Sequence, residues 1–229
     1  MSEPQFETLL AWASKDRDDI VEAKRDYFVS TGDVFEDDAC FESRMQSFFN
    51  WYLLDRPRGE PKLTPAQRFL KEEGATLAGA EKAVFMGFTS SRHSLYEIKK
   101  IGVGLIKVRE ELVKLRDAFS GEDFLVTERR KLPGLAGGDL IEARLLPVGN
   151  QLHFSTAFTF HPRQVKAQVL KEIKRRKKEG PLDGRAFVWE MERMALHLDR
   201  FKNIPAETIY SFEAPFLGHK GKREAAGGG

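Results

Sequence analysis

Three textures follow one another along the chain, told apart by the spacing of the apolar residues. Across residues 1–92 the spacing is helical. Phe6, Leu9, Leu10 and Ala13 share one helical face, and Ile20, Lys24, Tyr27 and Phe28 continue the period with one polar interruption. A helix is therefore predicted up to Ser30, with Gly32 as its stop. A second is predicted from Asp37 or Asp38, which can cap free N–H groups, through FESRMQSFFNWYLLDR to Pro57. Its stripe of Phe41, Met45, Phe48, Phe49, Tyr52 and Leu53, widened by Trp51, suits burial on more than one side. The same stripe is the one candidate for an apolar docking surface, centred on Phe48, Trp51 and Tyr52. Thr64 with Pro65 at the first helical position opens a third helix ending at Gly74, and AGAEKAVFMGFTSSRH reads as a fourth.

From residue 93 to 161 the period shortens to two. SLYEIKKI, GLIKVREE, LVKLRDAF and DFLVTERR alternate as strands do, with SGED as a turn between the last two. GGDLIEARLLPV and QLHFSTAFTFH flank Gly149-Asn150, a two-residue hairpin signal. In the last segment Leu152, Phe154, Phe158 and Phe160 share one face and His153, Ser155, Ala157, Thr159 and His161 the other. Five or six short consecutive strands predict a small, curved antiparallel sheet or barrel.

Over residues 162–210 the helical period returns. Val165, Val169 and Ile173 step by four; Pro181 and Gly184 break the chain; Asp183 can cap a helix carrying Phe187, Val188, Met191, Met194, Ala195 and Leu198. Residues 211–229 are Gly-rich and expected to be disordered. The fold class is thus α+β: an N-terminal helical layer, a small antiparallel β domain and two C-terminal helices.

Composition narrows the setting. With 229 residues and 41% hydrophobic content the chain can build a sizeable core. It has no run of 18 apolar residues to cross a membrane, and its acidic start lacks a signal peptide's basic and apolar regions. One cysteine, Cys40, excludes an internal disulfide and a Cys-cluster metal site, which points to a reducing cytoplasm.

Candidate chemistry is thin. Cys40 lies beside two acids in DDACFES, which suppress its thiolate. His153 and His161 would stand roughly 26 Å apart along one strand, too far to share a metal. His93, His197 and His219 form no ligand pair. The glycines of GLAGGDL precede a strand rather than follow one, so they suit a tight turn and not a phosphate loop, and GVGL has the same weakness. Asp37-Asp38 and Glu110-Glu111 are adjacent rather than facing. No catalytic residue, cofactor or metal ligand is assigned, and the chain is expected not to be an enzyme.

Charge changes the picture more. The net charge is only +2, yet residues 1–56 hold 6 basic and 13 acidic side chains, whereas residues 163–178 hold 8 basic and 1 acidic. Those eight are Arg163, Lys166, Lys171, Lys174, Arg175, Arg176, Lys177 and Lys178. Cations at a helix C-terminus are favoured by the dipole, but eight exceed that need and could neutralise several phosphates or an acidic protein. No aromatic interleaves them; stacking residues would have to come from the sheet, where Tyr96, Phe119 and Phe124 are candidates.

The run FEDDACFESRMQSFFNWYLLDRP, TPAQRFL, SSRHSLYEI, LRDAFSGEDFLVTER and GDLIEARLLPVGNQLHFSTAFTFHP resembles an uncharacterised family of bacterial cytoplasmic proteins. Its marks are a helix ending in W-[FY]-L-x-D-R, an S-L-[FY]-E strand, a D-x-x-[ST]-G-E hairpin and a G-D-L-x-x-A-R-L strand. The resemblance covers roughly residues 33–162. Some relatives carry a Cys-rich metal-binding tail of the SEC-C kind; this chain has none, so the resemblance implies no zinc role. It implies a non-catalytic module. The reading is a cytoplasmic interaction or regulatory protein with a protein partner; the alternative is a nucleic-acid-binding protein using the basic helix.

Overall fold

The computed structural model describes residues 3–103, 111–128, 134–214 and 216. Five helices come first: α1 (Glu3–Ala13), α2 (Arg17–Thr31), α3 (Phe41–Leu54), α4 (Pro65–Glu73) and α5 (Gly79–Thr89). The first predicted helix is two, because Asp16 accepts from the Asp19 N–H and starts a new helix after Ala13. α4 has the predicted start and more: Thr64 and Gln67 form a reciprocal capping box, with Pro65 just inside.

Five strands follow: β1 (Arg92–Val103), β2 (Glu111–Asp117), β3 (Asp123–Glu128), β4 (Leu140–Val148) and β5 (Gln151–His161). The expected strand GLIKVREE lies largely outside the described residues. Gly149, at φ 59°, closes the β4–β5 hairpin as its glycine signal predicts. The Asp117 carboxylate accepts from the Phe119 and Ser120 N–H groups and shapes the SGED turn.

The strands close into a barrel in the order β1-β2-β3-β5-β4. All pairs are antiparallel except β3 with β5, which meet in parallel at Val126 and Leu152. The sheet is therefore mixed, where strict antiparallel pairing was expected. The long, bent β1 makes closure feasible: its first half pairs with β4, its second half with β2, and a bulge falls between Ile98 and Lys100. This strand order is that of an OB-fold barrel.

After the barrel come a single 3₁₀ turn (Arg163–Val165), α6 (Lys166–Glu179), α7 (Gly184–Arg200) and the short α8 (Ala206–Ile209). The predicted C-terminal pair thus has a small third member. The expectation of a disordered tail falls mostly on residues outside those described.

Three apolar clusters hold the parts together. Tyr96, Ile98, Val113, Leu115, Val126, Ile141, Ala143, Leu145 and Phe154 fill the barrel. α1–α5 enclose a second cluster and α6–α8 a third. β4 is buried on both faces, and its outward residues join the layers: Leu146 enters the N-terminal cluster and Leu140 the C-terminal one. α5 reaches β4 through Gly87, where a Cβ would run into the Pro147 carbonyl oxygen. No helix of the described residues is long and apolar enough to cross a membrane.

Candidate functional site

The helices pack mainly on β4, β5 and the first half of β1; their principal contacts with the barrel miss β2 and β3. Strand alternation decides what that open wall displays. Ile98, Val113, Leu115, Phe124 and Val126 point inward, so the intervening residues point out. Register aligns them in two rows across three strands. One row is Lys100, Lys114 and Leu125; the other is Glu97, Arg116 and Asp123. Lys99 joins them at the bulge. Lys99, Lys100, Lys114, Arg116 and Leu125 are all exposed.

The acids of this face are engaged. Asp123 takes Arg116 at 2.8 Å and Lys114 at 3.0 Å, and these hydrogen bonds hold its carboxyl at about 2. Glu97 takes Lys166 at 2.6 Å and Lys99 at 3.1 Å. Burial works against the charge of Glu97, yet Lys166 and Lys99 hold its pKa below the ordinary value. Lys100 has no partner among the described residues, although it lies directly opposite another lysine.

α6 borders this wall. Lys166 reaches Glu97 of β1 and the Gly138 carbonyl, and Lys177, three turns later, donates to the Phe119 carbonyl at the end of β2. The other six predicted cations separate into two groups. Arg163 pairs with Asp139, Arg175 with Glu172 and Glu179, and Arg176 with Glu172 and Glu190. The bonds from Arg175 and Arg176 hold the Glu172 carboxyl at about 2. Lys171, Lys174 and Lys178 are exposed and make no ion pair among the described residues. None of the eight pairs with the acidic N-terminal segment, which is joined to α7 instead by Arg193 on the Val29 and Ser30 carbonyls and by Arg200 on Asp38, among other contacts.

The apolar docking patch expected around Phe48, Trp51 and Tyr52 is corrected. All three are buried, against Tyr27, Phe49 and Trp189. The stripe is wide because α3 is covered by α1, α2, α4 and β5 at once. The exposed large apolar residues are elsewhere, including Val29 and, lining a groove of about 360 Å³ beside α2, Val21 and Phe35. The candidate stacking residues also turn inward: Tyr96 is fully buried, and Phe119 and Phe124 are half-buried against apolar clusters. Of the histidines, His153 bonds the Thr127 carbonyl and His161 the Tyr210 hydroxyl. Burial and Asp199 push the Cys40 thiol up, away from thiolate. Among the described residues no group of side chains could hold a metal ion.

A second polar constellation was missed by sequence reasoning. Between the two apolar ends of β4's outer face stand Glu142 and Arg144, both 2% exposed. Arg144 is matched by Asp55 at the end of α3 and by Ser91. Burial works against the Asp55 carboxylate, but Arg144 holds its pKa below the ordinary value. Glu142 meets His93 of β1 at 2.9 Å and lies close enough to Glu192 of α7 for each to shift the other's pKa. Glu192 accepts from the Tyr27 hydroxyl and pairs with Arg44 of α3 at 2.8 Å. Burial pushes both glutamates up, Glu142 to about 7 and Glu192 to about 8; Glu142 pushes Glu192 further up, while Glu192, Arg44 and Arg144 pull Glu142 back down. Burial pushes His93 down, with Arg144 adding to it. A cavity of about 10 Å³, room for roughly one water, lies beside them under Asn50 and Ser155. It is too small for an organic substrate. The signal available in sequence was a charged residue inside an apolar stripe: Glu192 one turn after Val188, and Arg44 beside Met45 and one turn before Phe48.

The model of one protein family, described as a family of unknown function (DUF7986), matches residues 8–185. No curated protein and no solved structure matches the chain.

Proposed function

From the premise that the chain belongs to a family of unknown function (DUF7986), which hands on no activity, we propose a non-catalytic module that binds nucleic acid. It holds the phosphate backbone across the outer wall of β1, β2 and β3, with α6 as a flanking contact. The observation that carries this reading is Lys100 facing Lys114 across two strands on an uncovered surface. Like charges directly opposite each other cost stability in a sheet, and an anion between them removes the cost. Lys174 lies between Lys166 and Lys177 along α6 and is exposed, so it extends the cationic track.

The strand order adds support by analogy. OB-fold barrels take oligonucleotides on the face of strands 2 and 3, although a fold alone does not fix a function. The wall offers Leu125 but no exposed aromatic among the described residues. Binding is therefore read as backbone tracking, tolerant of sequence and steep in salt, rather than base stacking. The lone thiol suits a reducing cytoplasm.

The test is fluorescence anisotropy of labelled single- and double-stranded oligonucleotides at two salt concentrations. The wild type is compared with a Lys100→Glu, Lys114→Glu variant and a Lys174→Glu, Lys178→Glu variant. Affinity should fall steeply with salt, be lost in the first variant and be reduced in the second. An absence of binding at low salt, or binding that the first variant retains in full, sinks the reading. An acidic polypeptide that binds where nucleic acid does not would assign the same surface to a protein partner.

A further inference from the structure

The buried constellation on β4 does not balance in charge unless it holds a proton. Arg144 and Asp55 neutralise each other. That leaves two carboxyl groups, Glu142 and Glu192, facing one cation, Arg44. The two carboxyls are buried in one cluster, each close enough to shift the other, and two carboxylates there would repel each other out of reach of water. Tyr27 offers a single hydroxyl proton and His93 one ring N–H. Arg44 donates to the Thr31 carbonyl and forms its ion pair with Glu192, and none of its nitrogens is hydrogen-bonded to Glu142. Glu142 Oε2 is buried and has no other donor among the described residues, so a proton on Glu192 is what satisfies it.

We propose that the Glu142–Glu192 pair is a proton-dependent latch, which fastens α7 to the barrel while one proton is shared and loosens as that proton is lost. The groups that surround the pair, directly or through His93 and Arg144, come from several elements. Tyr27 belongs to α2, Arg44 and Asp55 to α3, His93 to β1, Arg144 to β4, and Arg185 to the start of α7; Tyr210, after α8, lies within reach of Glu142's charge. The latch therefore ties the barrel to both helical layers at one point. Its state can pass to α6, because Arg176 of α6 is bonded to Glu190 of α7. The inference is independent of nucleic-acid binding.

The sign follows from linkage. Exposed glutamates titrate near 4.3 or so, and burial raises this pair well above that. Opening α7 at neutral pH must then release a proton, so the opening constant rises up to about tenfold per pH unit until the closed pair itself deprotonates. His93 works the other way below about 6.5, where an opened structure takes up a proton, so the window from pH 6.5 to 8 isolates the pair.

Hydrogen exchange of α7 amides, read by mass spectrometry on the full chain and corrected for base catalysis, tests this. The wild type should open several-fold to tenfold more readily at pH 7.5 than at pH 6.5, and Glu142→Gln should abolish the dependence. A wild type that is flat over this window overturns the latch, and so does a Glu142→Gln variant that keeps the same slope. Should that variant not fold, carboxyl ¹³C titration of the wild type decides. A side-chain glutamate titrating above pH 6 supports the latch; none doing so refutes it.

Discussion

The barrel has two walls that differ less in sequence than in what lies on them. On the β4 wall Glu142 and Arg144 alternate with Ile141, Ala143 and Leu145; on the β2 wall Lys114 and Arg116 alternate with Val113, Leu115 and Asp117. Both are strands with charged outer faces. Helices α3, α5 and α7 roof the β4 side, so its charges are buried and answered by Arg44, Asp55 and Glu192. Among the described residues nothing comparable covers β2 and β3, and Lys100 remains unanswered there. The cover, not the strand, decides whether a charge serves the structure or awaits a partner. A buried charge without its counterion is costly, whereas an exposed one can wait in water.

The largest effect expected from this contrast comes from Arg44→Ala. It strips the buried Glu192 of the cation paired with it and should cost about 3–5 kcal/mol in urea unfolding. Lys100 and Lys114, changed to Ser together, should move stability by only about 0.5 kcal/mol. If the two variants cost the same, the division between the walls fails.

Next comes the roof itself. Gly87→Ala places a methyl against the Pro147 carbonyl and must push α5 off β4. Overpacking of this kind costs about 1–3 kcal/mol. Thermal unfolding reads the loss directly, and an unchanged midpoint would mean that α5 is not held as closely as the contact requires.

How much of this could be read from sequence divides along the same line. The alternation of LVKLRDAF predicts which side chains of β2 point outward, and a two-residue period needs no knowledge of neighbours. The fold class, the helix starts at Thr64 and Asp183 and the Gly149 turn are equally local. Register is not local. Nothing in sequence says that Lys100 faces Lys114, because a bulge in β1 shifts the register between Ile98 and Lys100. The fate of Phe48, Trp51 and Tyr52 depended on how many elements would cover α3, and that is a property of packing alone. Likewise KEIKRRKKEG could be recognised as basic, but not divided into paired arginines and free lysines, since Glu190 arrives from another helix.

A pH experiment sharpens the covered side from another direction. His161 is fully enclosed beside Tyr210, and burial alone holds its pKa down to about 3. The folded state thus resists the proton that the unfolded chain accepts near 6.5. Its contribution is intact above pH 6.5 and is lost as pH falls toward 3, by about 1.4 kcal/mol per pH unit. The Glu142–Glu192 pair acts with opposite sign over part of that range, so the readout is a difference: wild type minus His161→Gln at pH 6.5 and pH 5. A difference that does not change with pH would show that His161 can be charged where it sits.

The smallest effect discriminates best on the open wall. Lys100→Glu replaces a pair of like charges across β1 and β2 with opposite charges. If the wall were only a solvated surface, the substitution should raise stability by about 0.2–1 kcal/mol and change nothing else. If the wall tracks phosphates, the same substitution should still raise stability but weaken oligonucleotide binding and flatten its salt dependence. The two measurements move in opposite directions only when a like-charge pair is kept at the expense of the fold for the sake of a ligand. Lys114, which already has Asp123, makes a less sharp case, because its charge is partly spent within the chain. Urea melts and anisotropy on one Lys100→Glu preparation therefore decide between a wall that merely lacks a roof and one that is left open to bind.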